Sequence, residues 1–394
     1  MSARLLLLSP FFYPEPISTG KYNSHLVRAL SRKGIEVDVL CFQPLYPDWR
    51  PRISNKKIKG VGIFRGGARL RYPKGSLLRR AVLEIWFFLH VFRHAGRIRR
   101  YSRIVAVLPP MLFLPMVSLA SGPGCKVIAI VHDLQGIMAA ASINRGRPAV
   151  LGLIRLLESL VLRYCHRVIA LSETMAAFLS GPYRIPRSKL AVYRPFVTLG
   201  PQGAGTRLAH LFAEDKKHVV YAGGLGHKQC PERLVSFLHG LAQRRQDVVC
   251  HVFSGGPLFN VLRRDRRWKS ERLVFHDLVP EPDLGELYRR SHVQIIPENK
   301  GLSAGAVPSK LPNLLAAGVP ILYIGEKDGD IWKLILDCRA GTCCEGWDLD
   351  TLSALADQLL VDAGNRSHAN RRQHFISKYA DLFNVEALIK EILD

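Results

Sequence analysis

The residues best suited to chemistry lie between Ile295 and Gly325, in the run IIPENKGLSAGAVPSKLPNLLAAGVPILYIG. Ser309 has the side chain of a helix N-cap, and Lys310 would then fall in the first turn. Pro312 is tolerated there because the first helical amides have no intrahelical partner. A helix start with free N–H groups, a hydroxyl and an ammonium suits a diphosphate. Asn313 follows Ser309 by one turn on the same face, which puts an amide within reach of a ribose carried by that diphosphate. The small residues ahead of it would let the backbone at Gly305, Ala306 and Val307 line a sugar pocket.

Three further motifs fit the same chemistry. In YAGGLGHKQCPERL, residues 221–234, Gly223, Gly224 and Gly226 clear space for a phosphate that His227 and Lys228 can neutralise. In PEPISTGKYN, residues 14–23, Gly20 permits close backbone approach at a strand-to-helix turn and Lys21 adds charge. In VHDLQ, residues 131–135, His132 and Asp133 stand at the end of a strong strand, able to hydrogen-bond sugar hydroxyls or a leaving oxygen. Each has a structural alternative: a plain glycine turn, an incidental lysine, or a cap on the next helix. The Gly20 motif is not GxGxxG, so dinucleotide binding is weakly supported.

The fifth feature is basic. The chain has 394 residues and a formal charge of +24. Residues 1–200 hold 31 Lys plus Arg against 8 acids, whereas residues 201–394 hold 25 against 24. Such asymmetry points to an anionic surface met by one half, nucleic acid or membrane. From Arg52 to Arg103 there are 15 basic residues and one acid, Glu84. Inside that stretch, AVLEIWFFLHVF at 81–92 is apolar nearly all round. Arg79 and Arg80 precede it, and Arg93, Arg97, Arg99 and Arg100 follow. It suits a membrane interface, with Trp86, Phe87 and Phe88 inserted and the arginines on anionic lipid; the alternative is a core helix with a solvated basic end. No nucleic-acid-binding module is recognisable, so nucleic acid is not expected as a partner.

The elements that must position these residues alternate short β-rich runs with helical patterns, as βαβ units do. Strands are expected at 4–8, 36–42, 62–65, 104–108, 126–131 and 167–171, then at 218–222, 248–253, 272–275, 293–296 and 320–324. Two such series imply two parallel sheets, a domain at 1–200 and another at 201–394, joined by the Gly- and Pro-containing segment 197–206. The tail from Asp348 reads as three helices. The run 104–120 is broken by Pro109, Pro110 and Pro115 and reads as strand, turn and buried helix rather than a membrane span. The apolar start MSARLLLLSPFFYP reads as a buried first strand rather than a secretory signal. The eight cysteines show no CxxC and no zinc spacing, so reduced thiols in a cytosolic protein are expected.

At these residues the chain resembles glycosyltransferase family 4, a retaining family with the α/β GT-B fold, and in particular bacterial exopolysaccharide enzymes of the colanic-acid type. The likeness rests on YPEPISTGKYN, YPDW (46–49), VHDLQ, RVIALSETM (167–175), YAGGLGHKQ and VPSKLPNLLAAGVPIL in that order. It implies two Rossmann-like domains with parallel sheets facing across a cleft, the N-terminal one for the acceptor and the C-terminal one for a nucleotide-diphosphate sugar, with a last helix that often crosses back. It implies no cofactor or metal. Gly20 would approach the donor phosphates, His132 or Asp133 the transferring sugar, and Lys228, Ser309 and Lys310 the diphosphate. Many members carry a Glu-x7-Glu pair where Gly305 and Asn313 stand, so the ribose contact would fall to Asn313, with Glu298 as a displaced carboxylate. Gly224 stands where many members have Arg. The expected reaction is retaining transfer from a UDP-, GDP- or dTDP-sugar to a polyprenyl-diphosphate-linked saccharide. Its place would be the cytoplasmic face of the cell membrane, peripherally bound to anionic lipid. A GT-B sugar-nucleotide epimerase or an inactive scaffold are the alternatives.

Overall fold

The computed structural model describes residues 4–73, 76–140, 148–200, 205–302, 304–363 and 365–394, with no side-chain description for 76–77, 138–140, 148–149 and 365. The chain divides into two compact units. The first comprises Met1–Phe196, Ala304–Val307 and Asn384–Asp394, and the second Val197–Ser303 and Pro308–Phe383.

The first unit runs β1 (Arg4–Leu8), α1 (Ser18–Arg32), β2 (Glu36–Phe42), β3 (Val61–Gly66), α2 (Ser76–Phe92), α3 (Ala95–Ile98), β4 (Arg103–Leu108), α4 (Leu114–Ala120), β5 (Lys126–Val131), α5 (Gln135–Ala140), α6 (Pro148–Leu162), β6 (Arg167–Ala170), α7 (Glu173–Ser180) and β7 (Leu190–Val192). Its seven strands pair in the order β3-β2-β1-β4-β5-β6-β7, parallel throughout. Central strands such as LLLL and VIAIV are buried along nearly their whole length, as expected where helices cover both faces. Order reverses between β1 and β4, the switch point outside which open α/β sheets place ligands.

The second unit runs β8 (Lys217–Ala222), α8 (Pro231–Arg244), β9 (Val248–Phe253), α9 (Pro257–Arg264), β10 (Leu273–His276), α10 (Leu284–Arg290), β11 (Val293–Pro297), α11 (Leu311–Ala317), β12 (Ile321–Ile324), α12 (Asp330–Asp337), β13 (Gly341–Cys344), α13 (Leu349–Val361) and α14 (Asn365–Lys378). Its six parallel strands lie in the order β10-β9-β8-β11-β12-β13, with the switch point between β8 and β11. Hydrophobic clusters fill both faces of the sheet.

The last helix, α15 (Val385–Leu393), belongs to the first unit. Leu388, Ile389 and Ile392 are its buried face. Lys33 pairs with Glu386 at 2.7 Å, Arg167 pairs with Glu391, and Arg103 donates to the Leu393 carbonyl at 3.0 Å.

Each expected strand is present to within a residue or two. Two short ones, β7 and β13, lack the signal by which strands are recognised: LAV has three residues, and GTCC begins on a glycine. Gly341 has a steric reason, since a Cβ there would sit 1.9 Å from the Ile321 carbonyl oxygen. The expected linker 197–206 is corrected at its start. Val197 donates to the Phe383 carbonyl, and Thr198 and Leu199 are hydrogen-bonded to Asn313, so these residues are part of the second unit; residues 201–204 lie outside the described set. All eight cysteines are free, and six are buried.

Candidate active site

In the second unit the candidate residues gather at the carboxyl ends of β8 and β11, the switch point. Lys310 defines the place. Its ammonium donates to the Ile295 carbonyl at 2.6 Å and the Ala222 carbonyl at 3.3 Å, one from each strand, and stands 4.1 Å from the Tyr221 ring centre. Two of the three ammonium donors are thereby used. Burial pulls its pKa from 10.5 down to about 7, and among the described residues no carboxylate offsets that cost. A cation held by carbonyl dipoles and an aromatic face, unpaired with an acid, is poised to gain from an arriving anion.

Around it, Gly223 has φ +141°, a conformation that favours glycine, and the Tyr221 hydroxyl donates to the Gly224 carbonyl at 2.6 Å. This turn brings exposed His227 and half-buried Lys228 to the edge of β11, where the Asn299 amide donates to the Lys228 carbonyl at 2.8 Å. Glu298 is buried there. Its carboxylate accepts from the Tyr323 hydroxyl at 2.5 Å, and desolvation raises its pKa to about 7, partly opposed by that bond and by the Lys228 charge.

Two expectations for this unit are overturned. Ser309 is not the N-cap: Pro308 accepts from the Leu311 amide in a turn with Ser309 and Lys310 at its centre, and α11 begins at Leu311 with Lys310 in the cap position. Asn313 is not available to a ribose. Its side-chain oxygen accepts from the Thr198 and Leu199 amides at 2.8 and 3.1 Å, and its NH2 donates to Thr198 Oγ1 at 3.0 Å. A side-chain amide engaged this way, in a residue only 6% exposed, anchors the chain entering the unit.

In the first unit, His132 and Asp133 follow β5 at the carboxyl edge of the sheet. The four-residue segment Ala304–Val307 clusters here: Asp133 and Ala306 form an isolated antiparallel bridge, and the Leu134 amide donates to the Gly305 carbonyl at 3.0 Å. The structure thus gathers His132, Asp133, Gly305, Ala306 and Val307. Burial lowers the His132 pKa to about 4, against the pull of Asp133, so the imidazole is neutral at pH 7.

A residue missed by the sequence reading holds this loop. Glu158 of α6 is 2% exposed and accepts from the Gln135 and Gly136 amides at 2.6 and 2.9 Å and from the Tyr183 hydroxyl. Gly136 makes the approach feasible, since a Cβ would meet Tyr183 and Glu158 oxygens at 2.8 and 3.0 Å. Glu84 of α2 grips the loop after β4 in the same way, through the Met111 and Leu112 amides. The only available signal was that each is a lone acid in an apolar helix.

Gly20 is corrected. It lies inside α1, and the space where its Cβ would be is closed by Glu15, whose Cβ and carbonyl oxygen are 2.9 and 3.0 Å away. It serves packing against that buried carboxylate, with half-buried Lys21 beside it in the same turn.

The apolar basic helix is real, and its residues divide. Phe87 is corrected: with no exposed surface, it packs edge-on against Phe42 and Phe113 in the core, because Leu83, Phe87 and Val91 recur on the inward face of α2. Arg79 lies over the Trp49 ring, and Arg80 is half-buried, with burial lowering its pKa against the opposing charges of Asp133 and Glu158. Trp86 is 48% exposed, Phe88 stacks on exposed Phe92, and Arg93 and Arg97 are exposed, Arg97 against Phe64.

Residues 19–200 match the model of Glycosyltransferase Family 4. Residues 19–200 thus carry a family 4 glycosyltransferase domain, and the two parallel-sheet units have the GT-B fold. It is similar over its whole length to WbjE of Pseudomonas aeruginosa, a glycosyltransferase by name, at 21% identity with 99% of this chain and 98% of the relative covered. WcaI of Escherichia coli K12, named for colanic acid biosynthesis, is 23% identical over 91% of this chain and 92% of its own. Among solved structures, Anabaena HepE in complex with UDP and glucose shares the fold with a TM-score of 0.63 at 15% identity, covering 99% of this chain and 98% of the other. Against this background the departures stand out: the amide of Asn313 is spent internally, while Glu298 follows β11 directly and Lys228 lies in the turn after β8.

Proposed function

We propose that the chain is a retaining glycosyltransferase that moves a sugar from a nucleotide-diphosphate donor to a polyprenyl-diphosphate-linked saccharide, in polysaccharide biosynthesis at the cytoplasmic face of the cell membrane. Lys310 carries the reading. A desolvated ammonium at the β8–β11 switch point is an anion site awaiting its anion. Lys310 and Lys228 meet the diphosphate, and the charge that develops on the leaving group is stabilised by these lysines and nearby backbone amides without a metal. Glu298 takes the ribose. The backbone of Gly305, Ala306 and Val307 lines the sugar beside Asp133, and neutral His132 hydrogen-bonds it. The likeness to WcaI favours an exopolysaccharide product, and the UDP-bound relative favours a nucleotide donor. The basic first unit and the outward side of α2, with Trp86, Phe88, Arg93 and Arg97, favour an anionic membrane and a lipid-linked acceptor.

The test is transfer from UDP-, GDP- and dTDP-hexoses to polyprenyl-diphosphate-linked sugars, with the new anomeric centre assigned by NMR. Retention with one donor class is expected. Nucleotide release without acceptor would favour an epimerase, and no turnover with any donor would sink the assignment.

A further inference from the structure

The membrane reading rests on α2, but a second helix on the same face of the sheet has a more unusual surface. In α6 only Arg155 and Glu158 are charged, and Glu158 points inward to the Gln135 and Gly136 amides, which fixes the helix's rotation. Its outward side should then be polar. Instead it exposes Val150, Leu153, Leu156, Leu157 and Leu160, with Leu153 at 56%, and exposed Tyr164 follows just after its end. Most of these fall at intervals of three and four, a continuous apolar stripe over about three turns.

Topology places this stripe on the same face of the sheet as α2, with α4 between them. The connections β3 to β4, β4 to β5 and β5 to β6 all step the same way along the sheet, opposite to β1 to β2. Right-handed crossovers therefore put α2, α4 and α6 side by side on one face and α1 on the other. Contacts agree: Glu84 and Phe87 of α2 touch the segment leading into α4, and α4 touches α6. Leu119 of α4, 79% exposed, continues the patch between them. No helix among the described residues is long and apolar enough to cross a membrane, so the layer can enter lipid only from its outer side.

We infer that α6 is a lipid-inserting element, and that α2, α4 and α6 together form one face seated in the hydrocarbon boundary of an anionic bilayer. The inference deepens the membrane reading above. Exposed apolar area of this extent marks a covered surface, and charge selects the cover. Exposed Arg93, Arg97, Arg99 and Arg100 flank α2, Arg163 follows α6, and residues 1–200 carry 31 bases against 8 acids. A second copy, docked by a two-fold axis, would bring these like-charged rims together, whereas anionic headgroups neutralise them while the apolar stripes reach the acyl chains.

The full chain should be sedimented with phosphatidylglycerol–phosphatidylethanolamine vesicles at low and high salt, comparing wild type with Leu153→Glu/Leu157→Glu and, separately, Trp86→Glu. Both positions on α6 are already solvated, so the double variant should melt like wild type; if it does not, Leu153→Ser/Leu157→Ser replaces it. Wild type should retain binding at high salt. The α6 variant should lose about tenfold or more in partitioning, with the remainder abolished by salt. If only Trp86→Glu weakens binding, α6 does not insert, although the membrane reading stands. If wild type ignores vesicles yet transfers sugar, the membrane reading itself is wrong. A wild-type dimer that the α6 substitutions convert to monomer would identify a second copy as the occupant and overturn the inference.

Discussion

Replacing Lys310 with Met separates what the ammonium costs the folded protein from what it contributes to binding. Its pKa falls from 10.5 to about 7 through burial. The full shift corresponds to about 5 kcal/mol, and its partial exposure to solvent reduces this to about 2–4 kcal/mol. For a base whose folded-state pKa is depressed, the penalty is complete below about pH 7 and fades as pH rises towards 10.5. Lys310→Met should therefore raise the melting temperature at pH 6 and change it little at pH 10. Donor binding should move the other way. Removing a charge-assisted hydrogen bond to the diphosphate costs about 1.5–3 kcal/mol, or roughly 10- to 100-fold in Kd. In wild type the bound anion keeps the lysine protonated, so Kd should be flat below about pH 7 and rise by up to about tenfold per unit above it. Calorimetry from pH 6 to 9 should use nucleotide sugars rather than free nucleotides, because their diphosphate does not titrate in that range. A variant that binds the donor within twofold of wild type, or melts lower at pH 6, would refute the assignment of Lys310 as an unpaired anion receptor.

Asn313→Ala should destabilise the protein by about 2–4 kcal/mol, since two backbone amides lose their acceptor, and leave donor Kd unchanged in the folded fraction. A tenfold weaker Kd would restore Asn313 to the ribose. A third prediction concerns the chain His218–His251–His276, linked ring to ring at 3.0 Å and ended by the Ala213 carbonyl. That carbonyl must accept from His218 Nε2, so each ring is neutral and donates from Nε2. Burial lowers His251 to about 2 and His276 to about 4. Stability is then held above about pH 6.5 and lost as pH falls towards 4, by up to about 1.4 kcal/mol per pH unit per histidine. His251→Phe, stacking on Phe212 and Phe253, should reduce that slope by one proton in denaturant titrations; an unchanged slope would show that the chain does not govern acid stability.

The fold was legible because parallel strands buried on both sides write themselves as apolar runs, whereas the strand order and its two switch points came only with the structure. The positions of Gly20, Ser309 and Asn313 were legible, but not their partners. Gly20 answers to Glu15 and Asn313 to Thr198 and Leu199, 115 and 114 residues away in chain. Residue type and local spacing predict which groups can bind a ligand. Whether the protein has already consumed that capacity depends on how the chain packs, and for Asn313 the partners are too distant in chain for any local pattern to encode. Lys310 is the converse case: its motif was visible, while the missing counter-charge was visible only in three dimensions.

The same distinction explains why α2 stood out in the sequence and α6 did not. In α2 a block of arginines advertised an anionic surface, yet Phe87 proved to be core and Arg80 half-buried. In α6 an apolar run with one inward acid reads like any buried helix, and only the rotation fixed by Glu158 shows which leucines are left in solvent. That carboxylate also holds the amides that follow Asp133. The helix proposed to enter lipid and the loop proposed to meet the sugar are therefore joined through one buried side chain, so any shift of α6 must be absorbed by a hydrogen-bonded loop rather than by a flexible linker. A membrane-seated α6 would hold Asp133 at a fixed depth relative to a lipid-linked acceptor, which a purely electrostatic attachment through mobile arginine side chains would not do.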